Sequence, residues 1–306
     1  MIKVAIQGIE GSFHDIAARC FFGDEEIKVV PCTTFKDLFA KLKADETMAG
    51  AVAIENTIAG SLLPNYNLLR ESQLTIIGDH KLRIEHNLVA LPGQTINDLE
   101  EVHSHYMALL QCEEFFAGYP HIKLVDADDT ADEALRIAKE HLKGQGAICS
   151  SYAAELYGLD ILKAGIETNK HNFTRFLIIG NETLRDMILN RQGKVRNKSS
   201  LVFSLPHKEG SLSKVLTILS FYDINLTKIQ SLPIVGREWE YLFYIDVTFD
   251  DYVRYRQSLD AVLPLTGNLR VLGEYAEGGA SPNPSPKGLA PSNSSEGGEK
   301  TCNNRH

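Results

Sequence analysis

From Ile2 to about Ile179 the chain alternates short apolar stretches with segments whose apolar residues recur at helical spacing. No other feature of the sequence narrows the fold as much. Strands are expected at 3–7, 27–30, 51–54, 74–78, 87–91, 122–125, 146–149 and 174–179, and helices at 12–22, 34–43, 106–116, 130–141 and 151–157. This order predicts an α/β fold of mainly parallel sheets covered by helices. The alternation restarts after about His80, as though a second sheet were being built. The last strand, 174–179, would return to the first sheet and put the stretch 172–176 on a cleft wall. Ligands of open α/β sheets sit at such places, outside the carboxyl ends of the strands.

The remainder reads differently. Residues 190–198 are polar and basic, a linker. Beyond them come strand 200–205, Gly210, helix 211–222, strand 226–234, a turn at Val235-Gly236-Arg237, strand 241–249, helix 251–263 and strand 268–272. That is βαββαβ, the ferredoxin-like order. From Glu277 the chain is Gly, Ser, Pro and Asn, and disorder is expected there. With 306 residues there is material for about two domains with real cores. The formal charge of -9 argues against broad nucleic-acid binding, which needs a basic footprint. No apolar run reaches the ~20 residues of a membrane span, and the N-terminus lacks the pattern of a signal peptide. Five scattered cysteines without a CxxC read as free thiols in a reducing cytoplasm.

Four polar turns carry chemistry. In Gly8-Ile9-Glu10-Gly11-Ser12-Phe13, glycines flank a tight passage and Ser12 is a good helix cap, so N–H groups there could hold an anion. Glu55 and Asn56 follow directly on a buried strand, where a carboxylate must be paired or have its pKa raised. His103-Ser104-His105 precedes a helix carrying Gln111; the two histidines would share a strand face, but no third metal ligand with suitable spacing follows. In Asn172-Phe173-Thr174-Arg175-Phe176 a hydroxyl and a guanidinium stand between aromatic rings, on opposite faces if extended. Metalloenzyme, dinucleotide-binding and P-loop readings have no support. The inventory fits a cofactor-free, metal-free site that holds a small polar anion between two lobes.

In order and separation these turns resemble the motifs of the prephenate dehydratase family with a C-terminal ACT regulatory domain, over about residues 1–275. Asn172 with Thr174-Arg175-Phe176 resembles N-x-T-R-F, Glu55-Asn56-Thr57-Ile58-Ala59-Gly60 resembles E-N-S/T-x-x-G, Gly8 to Phe13 resembles G-x-x-G-[TS]-F, and Ser104-His105 with Gln111-Cys112 resembles S-H-P-Q…Q-C. Tyr106-Met107 stands where Pro-Gln is usual; Gly210-Ser211-Leu212-Ser213 and Gln230-Ser231-Leu232-Pro233 stand for G-A-L-V and E-S-R-P. The resemblance implies a two-lobed, periplasmic-binding-protein-like catalytic domain at 1–189, with lobes 1–80 plus 174–189 and 81–173. It also implies a linker at 190–198, an ACT domain at 199–276 and a tail at 277–306.

The implied reaction is the conversion of prephenate to phenylpyruvate in phenylalanine biosynthesis, without a cofactor, regulated by phenylalanine in a cytoplasmic homodimer or homotetramer joined through ACT domains. Thr174, Arg175 and Phe176 would be catalytic, with Thr174 the donor to the departing hydroxyl. Arg175 would grip a substrate carboxylate or brace the cleft through Glu55. Glu55, Asn56, Thr57, Ser104, Gln111, Asn172, Gly11 and Ser12 would bind substrate, and Gly210, Ser211, Leu212, Gln230 and Ser231 would bind phenylalanine. An arogenate dehydratase and a non-catalytic cytoplasmic sensor of amino acids or small anions are the alternatives.

Overall fold

The computed structural model describes residues 1–234 and 240–281. The first part runs β1 (Ile2–Gln7), α1 (Phe13–Phe22), β2 (Ile27–Cys32), α2 (Phe35–Ala44), β3 (Met48–Asn56), β4 (Gly60–Ser61), α3 (Leu63–Glu71) and β5 (Thr75–Arg83). The chain then leaves to build a second sheet from β6 (Asn87–Ala90), β7 (Glu101–His105), α4 (Tyr106–Gln111), α5 (Glu113–Phe116), β8 (Lys123–Ala127), α6 (Thr130–Glu140), β9 (Gln145–Cys149), α7 (Ser151–Leu156) and β10 (Asp160–Lys163). It returns as β11 (Phe173–Gly180) and α8 (Glu182–Gln192). The last part is β12 (Lys198–Leu205), α9 (Ser211–Phe221), β13 (Asn225–Pro233), β14 (Tyr241–Thr248), α10 (Tyr252–Val262), β15 (Gly267–Tyr275) and a two-residue β16 (Ala280–Ser281).

The main orders are β16-β5-β11-β3-β1-β2, β10-β6-β9-β7-β8 and β13-β14-β12-β15. The return of the last strand to the first sheet is as expected: β11 lies between β5 and β3. The expected dominance of parallel pairing does not hold. β1 is parallel to β2 and β3, but β11 is antiparallel to both its neighbours, and β6 is antiparallel to β9 and β10. β11 comes back from the second sheet and enters at the carboxyl end of β3, so it must run the other way. That reversal sets Thr174 opposite Asn56 and Arg175 opposite Glu55.

The third sheet has the expected βαββαβ order and is antiparallel throughout. Its two faces have different tasks, as the period of two in a strand allows. Leu201, Phe203 and Leu205 pack with Val215, Leu219 and Tyr255 under the module's own helices. Val202, Tyr244, Leu272 and Tyr275 pack against Tyr66, Leu69, Ile76, Leu177 and Ile179 of the first part. The module is therefore fastened on the back of the first sheet.

Three boundaries differ from expectation. α8 takes up Asn190, Arg191 and Gln192 and stops at left-handed Gly193, and Lys198 already belongs to β12, which shortens the linker. Residues 277–281 are held in place, where disorder is expected. The N–H of Glu277 donates to Asn197, that of Gly278 to Asp79, and β16 pairs with β5. The Val235-Gly236-Arg237 turn and the tail beyond Ser281 lie outside the described residues. Among the described residues no helix is long and apolar enough to cross a membrane.

Candidate active site

The ends of β1, β3 and β11 meet the starts of α4 and α6 around a cavity of about 230 Å³, lined among others by Ser12, Asn56, Gln111, Asp129, Thr174 and Phe176. Thr174 and Phe176 reach it together because they are two residues apart on β11. Phe176 forms wall, its ring edge-on to His14 with centroids 5.0 Å apart.

A chain of side chains surrounds Thr174. Asn56 Nδ2 donates to Thr174 Oγ1 at 2.9 Å and to Asn172 Oδ1 at 2.8 Å. Asn172 Nδ2 donates to Gln111 Oε1 at 2.8 Å, and His86 Nε2 lies 2.9 Å from the same oxygen. Gln111 comes from the second sheet's α4, so the chain spans both sheets. Because Thr174 Oγ1 already receives a hydrogen from Asn56, its own O–H is available to donate elsewhere.

Other expected residues stand nearby in supporting positions. Thr57 ties β11 to the β3 turn: its hydroxyl donates to His171 O at 2.8 Å and accepts from Phe173 N at 2.9 Å. Ser12 caps α1 and lines the cavity. Its helix start offers the N–H groups of Phe13 and His14, whose residues also line the cavity and which have no partners within the helix.

Four expectations need correction. Arg175 does not face the cavity and does not bond Glu55. It is buried on the opposite face of β11, where it pairs with Asp79 (Nε to Oδ2, 2.7 Å) and Asp246 and donates to Tyr275 Oη at 3.0 Å. Strand alternation sends it there, and Asp246 and Tyr275 of the third sheet receive it. Glu55, next to Asn56 on the same alternation, pairs with Lys228 of β13 at 2.7 Å. Ser104 is fully buried and donates to Ile148 O at 2.8 Å, which ties β7 to β9, and it does not line the cavity. Gly11 is a packing glycine: its N–H is held by Asp15, its carbonyl by Ser150, and a Cβ there would press on Ala153 at 3.2 Å.

The cavity also contains groups that no motif marked. His14 is held down to about pKa 4 by burial, and burial lowers His86 as well. Asp129 caps α6, and burial raises its pKa despite the N–H groups of Ala131 and Asp132. Its carboxylate would lie 2.4 Å from a Cβ at Gly8, so Gly8 is the point where the first sheet's turn approaches the second sheet's helix. Asp128 lines the cavity too, and no Lys or Arg does among the described residues. His103 and His105 do not form a pair: His103 lies against Glu101 and Glu133, and His105 caps α4 beside the cavity. No group of three or more potential metal ligands occurs among the described residues.

Of the expected regulatory residues, Gly210, Ser211 and Leu212 form the start of α9, with Gly210 left-handed. Gln230 and Ser231 lie on β13, an edge strand.

The profile of the prephenate dehydratase family matches residues 4–184. Arogenate dehydratase 2 of Petunia hybrida is 35% identical over 290 residues, covering 90% of this chain and 71% of that protein. Among solved structures, one described as GqqA, a novel type of quorum quenching acylase, aligns with TM-score 0.77 and 28% identity over 90% of this chain and 98% of that one. A prephenate dehydratase of Arthrobacter aurescens in complex with L-Phe aligns with TM-score 0.77 and 25% identity, over 90% of each chain.

Proposed function

Because the chain belongs to the prephenate dehydratase family, we propose that it converts prephenate to phenylpyruvate, carbon dioxide and water in phenylalanine biosynthesis. The observation that carries the reading is the polarity at Thr174: an oxygen that accepts from Asn56 and a hydroxyl hydrogen left for the cleft. In the reaction the ring carboxylate leaves as carbon dioxide, its bonding electrons aromatise the ring, and hydroxide departs. The hydroxide takes one proton to become water, and solvent replaces that proton. Aromatisation supplies the driving force, so the protein's task is to assist the leaving group. Threonine is too weak an acid to give up its proton freely. It acts as an oriented donor, strengthened because it accepts a hydrogen bond at the same time. One such donor in a dry site is worth about 3–4 kcal/mol in the transition state.

Substrate carboxylates would be met by the N–H groups at the start of α1 and by Ser12, since no lining cation is described. A loosely held carboxylate suits the chemistry, because tight ground-state binding of the group that departs opposes its loss. The acidic lining by Asp128 and Asp129 supports a second reading, arogenate, whose ammonium would meet those carboxylates. An acylase reading has less to stand on. It needs a nucleophile whose proton is taken by a base, and the contact at Thr174 Oγ1 is a donor instead.

In this reading residues 1–189 are the catalytic domain, in lobes 1–80 with 174–189 and 81–173, and 199–276 are an ACT domain. Phenylalanine would bind between two ACT domains of a homodimer or homotetramer, beside Gly210–Leu212 and edge residues Gln230 and Ser231. The described cysteines are free thiols, Cys20 half-buried and the others buried, which accords with a cytoplasmic enzyme.

Incubation with prephenate or arogenate, following product absorbance, tests the activity and ranks the two substrates by kcat/KM. No turnover of either would leave a sensor. Thr174→Ala is expected to lower kcat by about a hundredfold or more with the fold intact, and Thr174→Ser to keep appreciable activity. Near-normal turnover in Thr174→Ala would end the assignment.

A further inference from the structure

We propose that His86 is a positioning residue for Thr174: as its Nε2–H tautomer it closes and polarises the hydrogen-bond chain that leaves the threonine's proton free for the cleft. This rests on the reading of Thr174 as the donor.

Two backbone groups set the direction. The N–H groups of Ile58 and Ala59 both donate to Asn56 Oδ1, each at 2.8 Å. A backbone N–H cannot accept, so the Asn56 amide has one allowed orientation. Its Nδ2 then uses both hydrogens, on Thr174 Oγ1 and on Asn172 Oδ1. Asn172, accepting at its oxygen, must turn Nδ2 to Gln111, and the Gln111 atom it meets must be the oxygen. That oxygen is 2.9 Å from His86 Nε2. An amide oxygen donates nothing, so Nε2 carries the hydrogen, and in a neutral ring Nδ1 is bare.

The surroundings agree. His86 is 3% exposed, and Nδ1 has no partner among the described residues. Burial favours the neutral ring. The residue is fixed at its backbone: its N–H donates to Glu167 Oε2 at 3.0 Å and its carbonyl accepts from Ile166 at 2.8 Å. The ring also stands edge-on to Phe13, centroids 5.7 Å apart. The opposite tautomer would set a lone pair against the Gln111 oxygen. Relief would require turning Gln111, then Asn172, then Asn56, and the last turn would point an NH2 group at two backbone N–H groups. The tautomer of one histidine and the donor state of one threonine are thus linked through three amides.

The tautomer can be read directly by long-range proton–nitrogen correlation on the full chain labelled in histidine, at neutral pH, with His86 assigned by its loss in His86→Gln. The Nε2–H pattern is expected; an Nδ1–H pattern overturns the inference whatever Thr174 does. In kinetics with prephenate, His86→Phe is expected to lower kcat by up to about a hundredfold through lost orientation. KM should stay within about threefold, since the interaction matters in the transition state. His86→Gln, whose amide can donate to Gln111, should recover part of that loss at the same melting temperature. An undiminished kcat in His86→Phe, or equal losses in both variants, rejects the positioning role. Should Thr174→Ala turn over normally, the positioning role falls with the donor reading, while the tautomer measurement still stands by itself.

Discussion

At Asn56 a single atom decides what Thr174 can do. The amide nitrogen satisfies the threonine oxygen and leaves its hydrogen unclaimed. Asn56→Asp replaces that nitrogen by an acceptor of almost the same shape. The carboxylate would keep the N–H groups of Ile58 and Ala59 on one oxygen, and the other would capture the Thr174 hydrogen and face the Asn172 oxygen. The expected result is a kcat lower by about a hundredfold, comparable to loss of a transition-state donor, with substrate affinity much less affected. Steady-state kinetics on prephenate check this, and an active Asn56→Asp enzyme would show that the proton comes from elsewhere. At this scale the sequence was informative where the chemistry is local. Asn56, Asn172 and Thr174 stand out as polar residues at strand ends and Gln111 as a polar residue on the helix that follows another such turn, and the four are members of one chain. His86 did not stand out, because a lone histidine between two strands gives no signal until its neighbours in space are known.

Strand alternation explains both what was legible in the elements and what was missed. It put Thr174 and Arg175 on opposite faces correctly, but it says nothing about what lies behind the second face. The partners that receive Arg175, Asp246, Asp79 and Tyr275, are 71, 96 and 100 residues away. α8 gives little helical signal in the sequence because most of its residues are polar; of its eleven, Leu184, Ile188 and Leu189 are the buried ones. The junction of the third sheet with the first has a similar hidden requirement at Gly273 of β15. A Cβ there would lie 2.5 Å from the Ile76 carbonyl oxygen and 2.9 Å from its Cα, so two strand backbones nearly touch. These are backbone atoms of a core strand and cannot swing aside. Gly273→Val is therefore expected to force β15 off β5, at a cost of about 1–3 kcal/mol for overpacking. A lower melting temperature and faster proteolytic cleavage near residues 193–197 would report it. A variant as stable and protease-resistant as the parent would mean the two sheets are more loosely joined than this contact implies.

Across the whole molecule, the strand that carries Thr174 is also the strand that anchors the C-terminal module. Arg175 pairs with Asp79 of β5 and Asp246 of β14, and Lys198 of β12 pairs with Asp79 at 2.8 Å. Ser200 and Tyr275 complete the hydrogen bonding. Two cations balance two carboxylates, all buried. Burial alone would raise the pKa of Asp79, but Arg175 and Lys198 outweigh it and hold the group below its ordinary value. Arg175→Met removes one cation and leaves two carboxylates facing one lysine. Stripping a buried pair of one partner costs about 3–5 kcal/mol, so a correspondingly lower denaturation midpoint is expected. Adding Asp246→Leu restores the balance, because Lys198 and Asp79 remain paired and the space becomes apolar. The double variant should therefore be more stable than the two single losses sum to, with a coupling of about 1–3 kcal/mol. If Arg175 instead gripped substrate, the single variant would lose activity through KM while keeping its stability, and Asp246→Leu would not rescue it.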